Sequence, residues 1–190
     1  MKKIFIVICN QKNESQKAPY VEAYIEEAQK AGNEVRSINL YDIEIDYLKF
    51  NNNDADYSLT EELKQAQNNI VWADQIVFVY PIWWLAIPAK LKSFIERIFQ
   101  EGIIVNVGKF GPEPLLKGKT VVIMQSYYMP YLGMKYLYGD IPFKYLKVIL
   151  SSWCGLKIEK RFDFDLISNV SEKKQRNWIK SIKKFAGKIR

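Results

Sequence analysis

Apolar residues in this chain follow two alternating spacings, one typical of buried strands and one typical of amphipathic helices. The strand-like runs are short and rich in β-branched and other apolar residues. Strands are predicted at Lys3 to Cys9, Glu34 to Leu40, Ile76 to Tyr80, Lys119 to Met124 and Leu156 to Phe162.

Between and after these runs, apolar residues recur every three or four positions, which predicts helices. The first helix is expected to stop at Gly32. The second is expected to begin at Ser58 or Thr60, with acidic residues in its first turn. The apolar stripes are Val21, Tyr24, Ile25 and Ala28; Leu59, Leu63, Ala66 and Ile70; Leu91, Phe94, Ile95, Ile98 and Phe99; Ile141, Tyr145, Val148 and Ile149; and Trp178, Ile182, Phe185 and Ile189.

Strands that alternate with helices favour a parallel sheet with helices on both faces, because right-handed crossovers return each helix to the sheet. We therefore predict an α/β fold, a doubly wound sandwich around a five-stranded parallel sheet with strand order 2-1-3-4-5. No internal repeat, linker or low-complexity segment interrupts the pattern, so a single domain over residues 1–190 is expected.

The loop from Tyr80 to Pro88 follows the third predicted strand and precedes the third helix. In open parallel sheets, ligands bind in the crevice beyond the carboxyl ends of the strands. Trp83 and Trp84 are adjacent in this loop, which is a poor position for ordinary core residues, and they indicate a face for a flat ligand. Packing in the core or in a dimer interface is the alternative.

Composition limits the chemistry available to such a site. The chain contains no histidine, which excludes a Ser-His-Asp triad, a Cys-His pair, histidine-ligated zinc and a histidine general acid. Demanding chemistry then has to come from a cofactor or from Tyr, Lys, Asp and Glu side chains. A bound redox cofactor suits this composition, and no metal site is expected.

A net charge of +7 would suit a nucleic-acid partner. No nucleic-acid-binding motif is present, however, and the protein is not predicted to bind nucleic acid. Basic residues cluster at Lys173 to Arg190, where a solvated helix face is expected and contact with a membrane surface or nucleic acid is the alternative. Without a spanning apolar run or a signal peptide, the protein is predicted to be cytoplasmic. Cys9 and Cys154 are expected to be buried, reduced thiols.

The loop from Asn10 to Lys17 follows the first predicted strand and lies in front of a helix. It is rich in hydroxyl, amide and lysine donors, which suit a phosphate group at a helix N-terminus. It lacks the glycines of a P-loop, and a solvated loop is the alternative.

The stretch from Asp74 to Gly102 resembles the signature of the NAD(P)H:quinone dehydrogenase family of flavodoxin-like proteins, which includes the modulator of drug activity B type. The resemblance is carried by the sequence Tyr-Pro-Ile-Trp-Trp-Leu-Ala-Ile-Pro and by the helix after it. It implies a flavodoxin-like fold in which the turn lies along a flavin ring, with backbone N–H groups on the N1/O2 side, where a reduced flavin accumulates charge. The turn residues are Pro81, Ile82, Trp83, Trp84 and Leu85.

The same resemblance assigns roles at two other loops. Asn10 stands where the family has a histidine, and Ser15 and Lys17 are expected near the flavin phosphate. After strand four, bulky residues replace a Gly-Gly pair of the DT-diaphorase branch, so the backbone cannot approach the ring in the same way. The residues expected beside the flavin there are Gln125, Ser126, Tyr127 and Tyr128.

Two tyrosines are candidate catalytic residues by the same resemblance. Tyr138-Gly139-Asp140 matches a His-Gly-Asp in the DT-diaphorase branch, and Tyr131 falls near its active-site tyrosine. Tyr138 can donate a hydrogen bond but cannot become an imidazolium. Packing over the substrate or in a subunit interface is the alternative for the tyrosines of this region.

The resemblance implies a flavin-dependent NAD(P)H oxidoreductase of the quinone reductase type, with FMN, or alternatively FAD, as cofactor. Hydride would pass from NAD(P)H through flavin N5 to a quinone or a similar flat acceptor. A homodimer is implied, with residues 103–114 overhanging the crevice. Two other classes stay open, a flavin-binding electron carrier and a flavin-free flavodoxin-like binding or regulatory protein.

Overall fold

The structure is a computed structural model that describes residues 1–10, 19–51, 54–56 and 58–189. Within these residues lie the strands β1 (Lys3–Ile8), β2 (Glu34–Asn39), β3 (Lys49–Asn51), β4 (Asp54–Asp56), β5 (Gln75–Pro81), β6 (Val105–Gly108), β7 (Gly111–Pro114), β8 (Thr120–Tyr127) and β9 (Lys157–Asp165). The α-helices are α1 (Pro19–Lys30), α2 (Glu61–Trp72), α3 (Ala89–Ile98), α4 (Ile141–Lys147) and α5 (Glu172–Ala186).

Five strands form one parallel sheet in the order β2-β1-β5-β8-β9. Counted within this sheet alone, that is the predicted order 2-1-3-4-5, so the prediction is confirmed. The shorter strands pair as antiparallel ribbons, β3 with β4 and β6 with β7. At the carboxyl edge of the sheet, Tyr80 and Pro81 of β5 lie beside Gln125 and Ser126 of β8.

Helices cover the sheet on both faces. Alternate residues of each strand point to opposite sides, so each strand contributes side chains to both layers. Phe78 and Ile123 pack on the side of α2, α3 and α4, whereas Val77 and Val122 pack on the side of α1 and α5. Strand β5 is buried at every position. The continuous apolar runs that predicted these strands follow from this double coverage.

Two predicted helix limits are confirmed by the backbone. Thr60 caps α2, since its hydroxyl accepts a hydrogen bond from the Leu63 N–H, which decides between the two candidate caps. Helix α1 ends at Lys30, and Gly32 follows with a φ of 86°, a left-handed conformation that glycine adopts readily.

Two strands extend beyond their predicted ends. Strand β8 continues past Met124 to Tyr127, and β9 continues past Phe162 to Asp165. The added residues are mostly polar, and they pair with one another in the parallel register, as Gln125 does with Asp163. The apolar pattern therefore ends before the sheet does.

Helix α4 is confirmed, but most of the residues that indicated it face away from the core. Ile141, Tyr145 and Val148 are 55%, 39% and 52% exposed. Pro142 and Leu146 are buried instead. After Lys147 the chain continues as a π-helical segment over residues 148–153, so the spacing of a regular α-helix is not kept.

Cys9 and Cys154 are both buried and unpaired, as expected. Burial raises the pKa of each thiol to about 12. No helix in the part of the chain that the structure describes has the length and apolar character needed to cross a bilayer.

The orientation of α4 predicts which of its side chains stabilise the fold. Leu146→Ala should lower the free energy of unfolding by about 2–5 kcal/mol, because it empties a fully buried site. The exposed neighbour Lys147→Ala should change it by less than about 0.5 kcal/mol. Urea denaturation of both variants measures the difference. A cost for Leu146→Ala no larger than that for Lys147→Ala would show that another side of α4 meets the core.

Candidate cofactor cleft

A tight two-residue turn follows β5 at the carboxyl edge of the sheet. The Trp83 N–H donates to the Ala86 carbonyl at 3.1 Å, and the Ala86 N–H donates back to the Trp83 carbonyl at 2.9 Å. The two central residues, Trp84 and Leu85, have φ angles of 50° and 59°. Two left-handed central residues are the mark of a type I′ turn, in which Gly, Asn or Asp are the usual occupants.

The turn is held in a costly conformation by its surroundings. A non-glycine residue in the left-handed region costs about 1–3 kcal/mol and persists only where neighbouring structure fixes it. Before the turn, the Ile82 N–H donates to the Ser126 carbonyl at 2.7 Å, which continues the pairing of β5 with β8. After the turn, Ile87 is buried and α3 begins. The Trp84 side chain is fully exposed, so its own packing does not explain the strain.

The backbone donors of the turn are available to a ligand. No hydrogen bond among the residues that the structure describes uses the N–H of Trp84 or Leu85. Donors fixed in advance at the rim of an apolar site are well suited to stabilise negative charge on a bound group.

A cleft of about 520 Å³ opens beside this turn, at the carboxyl ends of β5 and β8. Among the residues that the structure describes, its lining is aromatic and aliphatic and contains no charged side chain. Its residues are Ile82, Trp84, Leu85, Tyr127, Tyr128, Met129, Met134 and Tyr138. The position is the one that open parallel sheets use for ligands, and the lining suits a flat aromatic group.

The structure brings together most of the site residues predicted on the loops after β5 and β8. Those that line the cleft are Ile82, Trp84, Leu85, Tyr127, Tyr128 and Tyr138. Pro81 and Ser126 are buried beneath it as paired residues of β5 and β8, and Trp83 is half-buried at the base of the turn. Gln125 is buried with its side chain turned into a polar network.

The remaining predicted residues lie outside the lining or outside the described chain. Tyr131 stacks on Tyr127, with ring centroids 6.5 Å apart, and its N–H donates to Asp165 Oδ2 at 3.1 Å. Asn10 is half-buried directly after β1. Ser15 and Lys17 lie outside the described residues.

A polar network that was not predicted lies behind the tyrosine side of the cleft. Asp163 Oδ1 accepts hydrogen bonds from three side chains. The donors are Tyr127 Oη at 2.6 Å, Gln125 Nε2 at 2.9 Å and Arg161 Nε at 2.8 Å. Gln125 Oε1 in turn accepts a hydrogen bond from Tyr80 Oη at 3.0 Å.

The network fixes the protonation state of one cleft tyrosine. Burial, reinforced by the hydrogen bond to Asp163 and by its charge, raises the pKa of the Tyr127 hydroxyl well above its ordinary value. The hydroxyl therefore stays protonated and donates within the network. Its ring contributes to the cleft, but its proton is committed to Asp163.

The sequence does carry a signal for this network. From Arg161 to Asp165, charged residues alternate with phenylalanine, which is the period of a strand with two different faces. Phe162 and Phe164 pack on the α1 and α5 side of the sheet, so Arg161 and Asp163 face the α4 side.

Two further grooves adjoin the cleft along the exposed side of α4. One, of about 580 Å³, shares Tyr138 with the cleft, and the other, of about 390 Å³, shares Leu85 with it. Both are lined by Ile141 and Tyr145, which form a ridge between them. The cleft thus opens onto a wide apolar surface.

Related proteins point to the same fold. A curated FMN-dependent NADH:quinone oxidoreductase of Clostridium perfringens is 28% identical over an alignment of 204 residues that covers 97% of this chain and all of that protein. The structure of Smu.1420 from Streptococcus mutans has a TM-score of 0.78 at 24% identity, over 98% of this chain and 99% of that one. An FMN-dependent NADH-azoreductase of Bacillus anthracis in complex with FMN has a TM-score of 0.78 at 20% identity, over 98% of each chain.

The resemblance predicted from the turn and helix after β5 is confirmed by a family model as well. That model, described as flavodoxin-like fold, matches residues 2–184. This match, the sheet order and the ligand cleft at the carboxyl ends of β5 and β8 place the chain in the flavodoxin-like fold family.

Proposed function

We propose that the protein is a flavin-dependent NAD(P)H oxidoreductase of the quinone reductase type. Its donor is NAD(P)H, and its acceptor is a quinone or a similarly flat molecule. The observation that carries the proposal is the strained turn at Trp84 and Leu85, with unused backbone donors at the rim of an apolar cleft. The Clostridium perfringens relative, aligned over nearly the whole chain, carries this activity in its name.

The residues present suit a flavin. Half of the residues that line the cleft are aromatic and the other half are aliphatic or Met, which suits an isoalloxazine ring. The N–H groups of Trp84 and Leu85 supply donors for the edge of the ring that becomes negative on reduction. When bound, the flavin supplies at N5 an acceptor and then a donor of hydride.

FMN is the proposed cofactor, with FAD as the alternative. FMN is named for the Clostridium perfringens relative and for the Bacillus anthracis complex, and we extend it to this chain. Its phosphate is assigned to the loop after β1, through Asn10, Ser15 and Lys17.

The chain's own contribution to turnover is orientation, exclusion of water and a hydrogen bond to the acceptor. Trp84 and Leu85 hold the flat partners in the cleft, and the bulky residues at Tyr127 and Tyr128 close its side. Reduction of a quinone consumes one hydride and one proton, and the proton comes from solvent. Tyr138, which lines the cleft, is assigned as a hydrogen-bond donor to the acceptor oxygen, and Tyr131 supports that side through its stacking on Tyr127.

A homodimer is proposed as the working form of the single domain over residues 1–190. Ile141, Val148 and Trp153 are about half exposed, and Phe110 is 97% exposed, which leaves more apolar surface than a monomer usually carries. Ile141 and Val148 line a groove that shares Tyr138 with the cleft, so a second copy on this part of the surface would enclose the site. A cytoplasmic location is proposed, and the two buried free thiols suit its reducing conditions.

Titration with flavin and then with NAD(P)H tests the function directly. FMN added to apoprotein should lose its fluorescence at a stoichiometric endpoint, and NADH or NADPH should then bleach its visible absorbance within seconds. Benzoquinone should restore the absorbance. Quenching without fast reduction would contradict the enzyme in favour of an electron carrier, and no quenching by FMN or FAD would favour a flavin-free binding protein.

The strained turn predicts opposite effects of one substitution on stability and on binding. Trp84→Gly should raise the free energy of unfolding of the apoprotein by about 0.5–1 kcal/mol, because glycine relieves the left-handed strain and the exposed indole has no packing to lose. The same variant should weaken flavin binding about tenfold through loss of the aromatic contact. Thermal denaturation and fluorescence titration measure the two effects.

Matched variants separate strain from contact. Trp84→Ala keeps the strain, so it should weaken flavin binding without the gain in stability. Trp72→Phe, at the opposite edge of the sheet, should leave flavin affinity unchanged. Unchanged flavin affinity in both Trp84 variants would refute the placement of this residue along the ring.

The proposed dimer predicts a mass twice the 22.3 kDa of the chain by size exclusion with light scattering. Ile141→Lys should shift the protein towards the monomer, because it buries a charge in the apolar ridge. Lys180→Glu, on the exposed side of α5, should not change the mass. A monomeric wild type at micromolar concentration would contradict the dimer.

A further inference from the structure

Two separate parts of the cleft lining are connected to one partly buried arginine, Arg161. Tyr127 belongs to β8, and Tyr138 belongs to the segment before α4. The side chain of Arg161, on β9, is only 13% exposed and lies between the two attachments. Its guanidinium binds two aspartates. Asp140 lies two residues after Tyr138, and Asp163 accepts the hydrogen bond of the Tyr127 hydroxyl.

The first attachment is to the turn that carries Tyr138. Arg161 forms a bidentate ion pair with Asp140. Its Nη2 donates to Oδ1 at 2.8 Å, and its Nη1 donates to Oδ2. Gly139 and Asp140 have φ angles of 63° and 58°, so two left-handed residues follow one another directly after Tyr138. A planar bidentate ion pair of this kind fixes the orientation of the carboxylate as well as its distance from the guanidinium.

The second attachment is to the strand that carries Tyr127. Arg161 Nε donates to Asp163 Oδ1 at 2.8 Å, and the Tyr127 hydroxyl donates to the same oxygen at 2.6 Å. The guanidinium also lies 4.1 Å from the ring centroid of Phe143, near the start of α4. Its position is therefore fixed from three sides.

The position of Asp140 is set by its ion pair with Arg161 together with its backbone hydrogen bonds. Asp140 precedes α4, yet its carboxylate makes no cap hydrogen bond to that helix. Its N–H donates to the Met134 carbonyl at 3.0 Å, which closes the segment on which Met134 and Tyr138 line the cleft. Release of the carboxylate would leave only backbone hydrogen bonds, to Met134 and from Lys144, to hold this left-handed residue in place.

We infer that Arg161 is a positioning residue of the cleft. Because Arg161 binds Asp140 and Asp163 at the same time, it holds Tyr138 and Tyr127 at a fixed separation on one side of the cleft. The effect on turnover rests on the proposed function, whereas the effect on the turn does not.

Arg161→Lys tests the inference, because lysine keeps the charge but lacks the planar fork that holds two carboxylates. Hydrogen exchange of the apoprotein should become at least tenfold faster at the Tyr138 and Asp140 amides, with α1 and α2 unchanged. Arg176→Lys, which alters an exposed pair with Glu172, is the matched control and should leave exchange unchanged at both amides. Unchanged exchange at these amides in Arg161→Lys would overturn the inference.

A second variant keeps the test independent of how well Arg161→Lys folds. Asp140→Asn removes the ion pair while keeping the side-chain shape, and asparagine tolerates the left-handed backbone. It should give the same local increase in exchange. Normal exchange in Asp140→Asn would show that Arg161 does not act through Asp140.

A double-mutant cycle tests the consequence for turnover. Tyr138→Phe should lower kcat/KM severalfold in the wild type but less than twofold further in Arg161→Lys, because the ring is already displaced. Tyr128→Phe, outside the Arg161 contacts, should combine multiplicatively with Arg161→Lys. Multiplicative losses for Arg161 and Tyr138 would overturn the inference, whereas an inactive wild type would refute the proposed function and leave the exchange result to decide the positioning role.

Discussion

The turn at Trp84 and Leu85 is the constraint on which the account of this protein depends. Two consecutive non-glycine residues occupy the left-handed region at the end of the most buried strand. Such a conformation survives only because β5, its pairing with β8 and the buried Ile87 before α3 fix both ends of the turn. The result is a pair of backbone donors beside an apolar cleft that no hydrogen bond among the described residues uses.

The cleft is completed by elements that are distant in sequence. Parallel pairing places the ends of β5, β8 and β9 side by side, so Tyr80, Gln125 and Asp163 reach one another across three strands. The same pairing brings Arg161 within reach of Asp140 at the start of α4. An apolar, partly aromatic lining thus lies in front of a network in which Arg161 is paired with Asp140 and Asp163.

The sequence predicted the sheet order, the helices and the position of the cleft, because β1, β5 and β8 are buried on both faces and read as continuous apolar runs. The turn residues could be named because Trp83 and Trp84 are anomalous in a loop. The orientation of α4 could not be predicted, since apolar residues lie on both its sides and the ridge at Ile141 adjoins the cleft. The network was missed because its partners, such as Asp140 and Arg161, meet only through the tertiary fold.

The most direct test of the central claim is the amide spectrum of isotopically labelled apoprotein during addition of FMN. The Trp84 and Leu85 N–H resonances should shift strongly as FMN saturates the protein, while that of Trp72, at the opposite edge of the sheet, should stay in place. Saturable FMN binding with the Trp84 and Leu85 resonances unmoved would contradict the claim that this turn holds the flavin.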